Sequence, residues 1–207
     1  MPKLLYVTCN QKSVDASRSL TVGKAFIDAY RQLHPDAAVE TIDLYRHDMP
    51  RIDGDVLSAW RKMQGGQEDL LTEAERTKVE RLVKHAGHFA SFDRYVFATP
   101  MWNFGLPPEV KMFIDAICIA GQTFQYTSTG PVGLLTGKKC LHVHSSGGFH
   151  YGKPEDHSVP YLRTIMNFIG VPDFQAIVIE GVDAMPGKAE EYRQVAIEEA
   201  RAVAAGF

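Results

Sequence analysis

Short, nearly continuous apolar runs recur along the chain and alternate with segments of helical periodicity. Such runs are typical of strands that are buried on both faces. The predicted strands cover residues 4–8, 38–44, 95–98, 140–144 and 176–179. The predicted helices cover residues 17–33, 53–62, 73–89, 107–121, 161–168 and 188–205. Strands alternating with helices in this way predict an α/β protein with a parallel sheet and helices on both faces.

The length and the alternation favour a single domain that spans residues 1–207, with its five strands in the order 2-1-3-4-5. In open sheets of this kind a ligand binds beyond the carboxyl ends of the strands, at the switch point between strands 1 and 3. Three loops are expected at this edge, after Thr8, Thr99 and His144. These loops are therefore the predicted ligand site.

The first of these, residues 9–19 and here named the anion loop, runs into a predicted helix N-terminus. Free N–H groups and the helix dipole favour an anion there. Ser17 and Ser19 add hydroxyl groups and Arg18 adds positive charge. Ser17 is equally suited to a simple N-cap, and this loop alone does not separate the two interpretations. The chain contains neither GxxxxGK[ST] nor GxGxxG, which argues against a P-loop or a Rossmann dinucleotide site.

The second loop, residues 100–108 and here named the ring loop, is unusually apolar for a connection expected to be exposed. It begins with Pro100, and Met101 and Trp102 would cover a flat conjugated ring. Asn103 supplies hydrogen-bond donors and an acceptor, and Phe104 follows it. A hydrophobic staple onto the next helix is the alternative, but the composition favours contact with a ring.

The third loop, residues 145–152 and here named the glycine loop, contains the paired Gly147 and Gly148. Glycines let the backbone approach a ligand closely, and the free N–H groups of such a loop can bind carbonyl oxygens. Ser145 and Ser146 precede the pair and His150 follows it. A lone Gly-Gly would be explained as well by a flexible turn. Together, however, the three loops offer anion, ring and carbonyl contacts, a combination that describes FMN.

Charge, apolar runs and the cysteine and histidine residues restrict which partners and which cellular locations the sequence favours. A net charge of -3 and a pI near 6.2 give no reason to expect nucleic acid. The start of the chain lacks the apolar stretch of a signal peptide, and no run is long enough to span a membrane. Three scattered cysteines outside CxxC spacing argue against disulfides and zinc, and we interpret them as a sign of a reducing cytoplasm.

His142 and His144 would share a face, but without a fitting third ligand we assign them structural roles and predict no metal.

Several motifs together resemble the FMN-dependent NADH azoreductases, which are also described as NADH:quinone oxidoreductases. They lie at residues 99–104, 113–115, 121–127, 130–134, 147–148 and 170–172, and the resemblance extends across essentially the whole chain. The combination is specific, whereas no single motif would be.

The resemblance implies a flavodoxin-like three-layer sandwich that forms a homodimer, with one FMN per subunit and active sites at the interface. It implies ping-pong transfer, in which NADH leaves a hydride on the flavin before a quinone or azo compound takes its place. Because the flavin carries the hydride, we expect no catalytic acid, base or nucleophile from the protein.

The loop positions and the resemblance together predict one set of FMN contacts. The set is Asn10, Ser17, Arg18, Ser19, Pro100, Met101, Trp102, Asn103, Phe104, Ser145, Ser146, Gly147, Gly148 and His150. The chain departs from the family pattern at two of these positions. Many members carry arginine where this chain has Ser146, and tyrosine is common where it has Trp102.

Three other classes of protein share parts of this sequence pattern. A flavodoxin-type electron carrier is usually smaller and more acidic than this chain. A phosphorylatable receiver domain needs an aspartate at the end of the third strand, where this chain has Thr99. The sequence distinguishes a general NAD(P)H-dependent FMN reductase only weakly from an NADH:quinone oxidoreductase. The sequence leaves open both the physiological acceptor and the preference between NADH and NADPH.

Overall fold

A computed structural model describes residues 2–207 and contains a five-stranded parallel sheet together with a small antiparallel hairpin. In chain order the strands are β1 (Lys3–Thr8), β2 (Ala38–Asp43), β3 (Arg94–Pro100), β4 (Phe124–Thr127), β5 (Gly130–Gly133), β6 (Lys139–Ser145) and β7 (Asp173–Ile179). The large sheet has the order β2-β1-β3-β6-β7, and β4 pairs with β5. The predicted order of the five parallel strands is therefore confirmed.

Helices cover both faces of the sheet. They are α1 (Arg18–Leu33), α2 (Gly54–Gln64), α3 (Glu73–Ala90), α4 (Pro108–Ile117), α5 (Val159–Phe168) and α6 (Ala189–Ala204), with single 3-10 turns at Glu68–Leu70 and Pro186–Lys188. Side chains of α1 and α6 form one apolar cluster with the sheet, and those of α3, α4 and α5 form another.

Strand β1 shows why its continuous apolar run is needed. Leu5 and Val7 pack in the cluster with α3, α4 and α5, whereas Leu4 and Tyr6 pack in the cluster with α1 and α6. Successive side chains of a strand point to opposite faces, so a strand between two helical layers must be apolar at every position. Full burial of each such side chain contributes about 1.5–3 kcal/mol.

Several predicted boundaries were wrong, among them the start of β7, the end of α4 and the start of α5, and one element was missed. Helix α4 ends at Ile117, because the buried Thr123 hydroxyl donates to the Ile117 carbonyl at 2.7 Å, and Gly121 lies in a turn with φ 81°. Helix α5 starts at Val159, two residues early, because Asp156 Oδ1 accepts the N–H groups of Ser158 and Val159. The β4–β5 hairpin was not predicted at all.

A buried carboxylate joins α2 to α3. Glu75 forms a capping box with Thr72 at the start of α3, and its carboxylate also contacts Lys62 Nζ at 2.7 Å and Ser58 Oγ at 2.6 Å. The hydrogen bond from Lys62 is the main reason that the pKa of Glu75 is lowered to about 2. Lys62 and Ser58 both belong to α2, so this side chain links the two helices. Lys78 of α3 adds a second link by contacting Asp55 of α2 at 2.5 Å.

The cysteines are free thiols. Burial raises the pKa of Cys9 to about 12 and that of Cys118 to about 11, and it raises the pKa of the fully buried Cys140 well above its usual value. Over residues 2–207, no helix combines the length and the apolar character that a membrane crossing requires.

Candidate functional site

The three predicted loops meet at the carboxyl edge of the sheet. They follow β1, β3 and β6, which are neighbours, and the Met101 N–H joins the ring loop to the glycine loop by donating to the Ser145 carbonyl at 2.7 Å. Two cavities open between the loops. The anion-loop cavity is about 280 Å³ and the ring-loop cavity about 260 Å³.

Most of the predicted residues line these cavities. The anion-loop cavity includes Asn10, Ser17, Arg18, Pro100, Met101, Trp102, Ser145, Ser146 and Gly147. The ring-loop cavity includes Met101, Asn103, Phe104, Ser146, Gly147 and His150. Because Met101, Ser146 and Gly147 border both, the two cavities adjoin. Ser19 and Gly148 are the predicted residues that border neither.

The anion loop is organised around Ser17, which caps α1. Ser17 Oγ accepts the Leu20 N–H at 3.3 Å and a hydrogen bond from Asn10 Nδ2 at 2.9 Å. The N-cap interpretation is therefore confirmed, and it leaves room for an anion. With the Leu20 N–H bound to Ser17, the N–H groups of Arg18 and Ser19 in the first helical turn still need an acceptor.

The ring loop turns back on itself tightly. Trp102 and Gly105 exchange N–H to carbonyl hydrogen bonds of 2.9 and 3.0 Å, and the residues between them, Asn103 and Phe104, have φ angles of 48° and 66°. Two successive positive φ angles are those of a type I′ turn, which suits asparagine but strains phenylalanine by roughly 1–2 kcal/mol. This turn leaves the side chains of Trp102 and Phe104 about half exposed, at 46% and 49%.

Contacts from the glycine loop and its extension hold the strained turn. The Phe104 carbonyl accepts the His157 N–H at 2.9 Å, and the Phe104 ring meets the His150 ring edge-on at 5.4 Å. The turn therefore presents an apolar surface whose conformation is fixed by contacts with His150 and His157. Asn103 also has a conformational reason for its position, independent of any ligand.

The glycine loop is supported by Glu180, which the sequence did not single out. Its Oε1 accepts the N–H groups of His150 and Tyr151 at 2.6 and 2.5 Å. Ser146 is only 5% exposed, and its hydroxyl donates to the Gly148 carbonyl at 2.8 Å. The hydroxyl of Ser146 is thus used within the loop.

The paired glycines closely approach side chains of this chain, whereas the prediction concerned close approach to a ligand. A Cβ at Gly147 would lie 2.3 Å from Asp183 Oδ2, and one at Gly148 would lie 2.6 Å from His150 Nε2. Asp183 also lines the anion-loop cavity, where it contacts Arg18 at 2.8 Å. It follows β7, a strand whose loop the switch-point rule did not include, and so the sequence did not indicate it.

The two histidines of β6 are fully buried. His142 Nε2 and Thr99 Oγ1 are 2.8 Å apart, whereas neither ring nitrogen of His144 has a partner in the described part of the chain. Burial lowers the pKa of His144 to about 4 and that of His142 well below its usual value. Among residues 2–207, no three His, Cys, Asp or Glu side chains are grouped as metal ligands.

Comparisons with known proteins concern the fold and the family of the chain. Residues 2–204 match a family model described as a flavodoxin-like fold. A curated protein of Geotalea uraniireducens, an FMN-dependent NADH:quinone oxidoreductase, is 57% identical over the full length of both chains. The crystal structure of an azoreductase from Bacillus anthracis str. Sterne superposes with a TM-score of 0.92 at 34% identity, covering 100% of each chain. An FMN-dependent NADH-azoreductase from Bacillus anthracis str. Ames Ancestor, in complex with FMN, gives 0.90 at 34% identity, covering 99% of this chain and 98% of that one.

Proposed function

The chain belongs to the flavodoxin-like family of FMN-dependent NADH:quinone oxidoreductases, and from this premise we propose that it works as a homodimer that passes electron pairs from NADH to quinones and azo compounds by a ping-pong mechanism. The observation that carries the proposal is the convergence of the three loops around two adjoining cavities, one with anion-binding groups and one that includes Met101 and Phe104.

The residues present fit FMN. The N–H group of Arg18 at the start of α1, together with the Arg18 and Lys12 side chains, would hold the phosphate. Met101 and Trp102 would lie along the ring system, and the backbone of the glycine loop would face the carbonyl-bearing edge of the ring. Once bound, the flavin supplies two-electron chemistry by accepting and releasing hydride equivalents.

The protein's own part in this reaction is to bind, orient and exclude water. The exposed rings of Trp102 and Phe104 offer an apolar surface on which a flat nicotinamide or quinone can lie. The chain has no GxGxxG motif for a separate nicotinamide site. Donor and acceptor would therefore use the same surface in turn, which is the physical basis for the proposed ping-pong order.

The β4–β5 hairpin supports the proposed homodimer. Tyr126 is 76% exposed, and Val132 and Leu134 are also exposed, so an apolar patch faces solvent in the single chain. Patches of this kind commonly mark protein interfaces. The three free thiols agree with the proposed cytoplasmic location, where disulfides are rare.

The test begins with the purified full chain. We expect flavin absorbance bands and the release of FMN, with no FAD, on denaturation. Steady-state NADH oxidation with menadione should give parallel lines in double-reciprocal plots at several fixed quinone concentrations. FAD as the main flavin would contradict the site assignment, and converging lines would contradict the ping-pong order. Binding of FMN without sustained turnover would instead favour an electron carrier.

The same assay decides between the two nicotinamides. NADH and NADPH are compared at equal concentration with menadione and with an azo dye as acceptors. A clear preference for NADH agrees with the proposal, whereas a preference for NADPH would point to the general flavin reductase alternative.

A further inference from the structure

Asp183 is the acidic side chain that borders the anion-loop cavity among the residues that the structure describes. The same wall carries two cations, Lys12 and Arg18. Asp183 Oδ1 lies 2.8 Å from Arg18 Nη2, and the two side chains are 68% and 39% exposed. The Asp183 carboxylate therefore already forms an ion pair with the guanidinium that faces the proposed phosphate position.

Backbone hydrogen bonds hold the main chain of Asp183 against the glycine loop. The N–H groups of Asp183 and Ala184 both donate to the Gly147 carbonyl, at 3.0 and 3.1 Å. Asp183 Oδ2 fills the space that a Cβ at Gly147 would need, because the two would be 2.3 Å apart. Asp183 is thus anchored to the glycine loop, while its partner Arg18 belongs to α1 on the other side of the cavity.

We propose that Asp183 weakens binding of the flavin phosphate by competing with it for Arg18, and so sets how readily the cofactor is released. This inference rests on the proposed function, since it concerns the same site. A phosphate and a carboxylate are both acceptors for the guanidinium fork, and the phosphate gains less from Arg18 while Asp183 also holds it. The negative charge of Asp183 therefore lowers the contribution of the phosphate to FMN affinity. It leaves the contacts to the ring system unchanged.

An orienting role for Asp183 would have the opposite sign. If the carboxylate mainly held the guanidinium in the direction of the phosphate, its removal would let Arg18 move away and would weaken FMN binding. The two roles can therefore be separated by the sign of one change in affinity.

The experiment compares the full-length wild-type protein with Asp183→Asn, Arg18→Gln and the double variant. Each protein is prepared in two forms, one that contains FMN and one in which FMN has been exchanged for riboflavin, which lacks the phosphate. Dissociation of the flavin on serial dilution is followed by its fluorescence. We expect Asp183→Asn to tighten FMN binding about two- to fivefold, the range for an exposed ion pair, and to leave riboflavin binding nearly unchanged. The gain should shrink as salt is raised, because solvent-exposed charges are screened.

Asp28→Asn is the matched control. Asp28 is an exposed carboxylate paired with Lys24 on the same helix as Arg18, but it borders neither cavity, so FMN affinity should not change. The Arg18→Gln background gives the decisive comparison, because there the gain from Asp183→Asn should disappear.

Several results would overturn the inference. They are weaker or unchanged FMN binding in Asp183→Asn, an equal gain for riboflavin, and a gain that survives in the Arg18→Gln background. A wild-type protein that holds no flavin would instead refute the proposed function, so the two failures are distinguishable.

Discussion

The positive φ angles of Asn103 and Phe104 are the clearest local strain in the ring loop. The loop tolerates this strain because the Phe104 carbonyl accepts a hydrogen bond from the His157 N–H and the Phe104 ring packs on the His150 ring. Strained residues of this kind are concentrated at ligand sites, where surrounding contacts determine the conformation. The strain at Phe104 thus agrees with a surface that is arranged before any ligand arrives.

Substitutions at Asn103 separate its conformational role from a contact with the flavin. Asn103→Gly keeps the positive φ and removes the amide, whereas Asn103→Ala removes the amide and adds backbone strain. We expect both variants to weaken FMN binding by about 1–3 kcal/mol, the cost of leaving a flavin polar group without its partner. Fluorescence titration checks this, and wild-type affinity in Asn103→Gly would show that the amide serves the turn alone.

His144 predicts a pH dependence of stability. Its pKa is about 4 in the folded protein and near 6.5 when unfolded, so between these values the unfolded state binds the extra proton. The free energy of unfolding should therefore fall by about 2 kcal/mol as pH drops from 6.5 to 5, with His142 adding to the trend. Denaturant unfolding of His144→Leu should show a flatter pH profile than wild type. The exposed His157→Leu serves as the control, and an unchanged slope in His144→Leu would contradict the assignment.

The buried carboxylate of Glu75 is one of the polar links between helices α2 and α3. Glu75→Gln retains the size of the side chain but removes the charge that Lys62 binds and weakens the capping box. We expect the melting temperature to fall by about 2–8 °C at pH 7, in line with the loss of a helix cap in a chain of this length. Because the pKa of Glu75 is about 2 when folded, its contribution is present at neutral pH and is lost as pH falls below about 4.5.

Ser58→Ala is the milder companion variant, since it removes one neutral partner of the same carboxylate. Its melting temperature should lie between those of wild type and Glu75→Gln. If Glu75→Gln melts like wild type at pH 7, the carboxylate does not hold the two helices together.

The elements with strong periodicity were predictable from the sequence, and those decided by distant contacts were not. The buried strands β1, β3 and β6 follow directly from their apolar runs. The end of α4 depends on the side chain of Thr123, which lies beyond the helix, and nothing in the local pattern indicates that contact. The β4–β5 hairpin has strands of only four residues with mostly exposed side chains. It is stabilised by packing such as that of Phe124 on Phe168 of α5, at 4.7 Å between ring centroids.

For the candidate site, the switch-point rule located the three loops because it depends only on strand order. It omitted Glu180 and Asp183, since these follow the edge strand β7 and reach the site through contacts with the glycine loop. Likewise, the inward hydrogen bond of Ser146 depends on the conformation of its own loop and could not be predicted from residue type.

At the scale of the whole molecule, the proposed homodimer predicts different effects for two exposed valines. Val132 on the hairpin is 45% exposed and Val195 on α6 is 60% exposed. Val132→Asp should shift the protein toward monomer at low micromolar concentration and reduce turnover, because a charge at an apolar interface is costly. Val195→Asp should do neither. Analytical ultracentrifugation with a parallel NADH oxidation assay checks this, and a fully active wild-type monomer would contradict the proposed dimer.

The state of the three cysteines has a chemical consequence for a protein that handles quinones. Quinones are electrophiles whose ring carbons are attacked by thiolates, so that the sulfur is arylated, and the thiolate is the reactive form of cysteine. Cys9, Cys118 and Cys140 all have a raised pKa, so they stay protonated at neutral pH. We therefore expect the intact mass of the native protein to remain unchanged during turnover with excess benzoquinone, whereas the unfolded chain should acquire adducts at its cysteines. Adducts on the native chain would show that its thiols are accessible after all. Keeping its nucleophiles protonated would protect the protein from alkylation by its own acceptor.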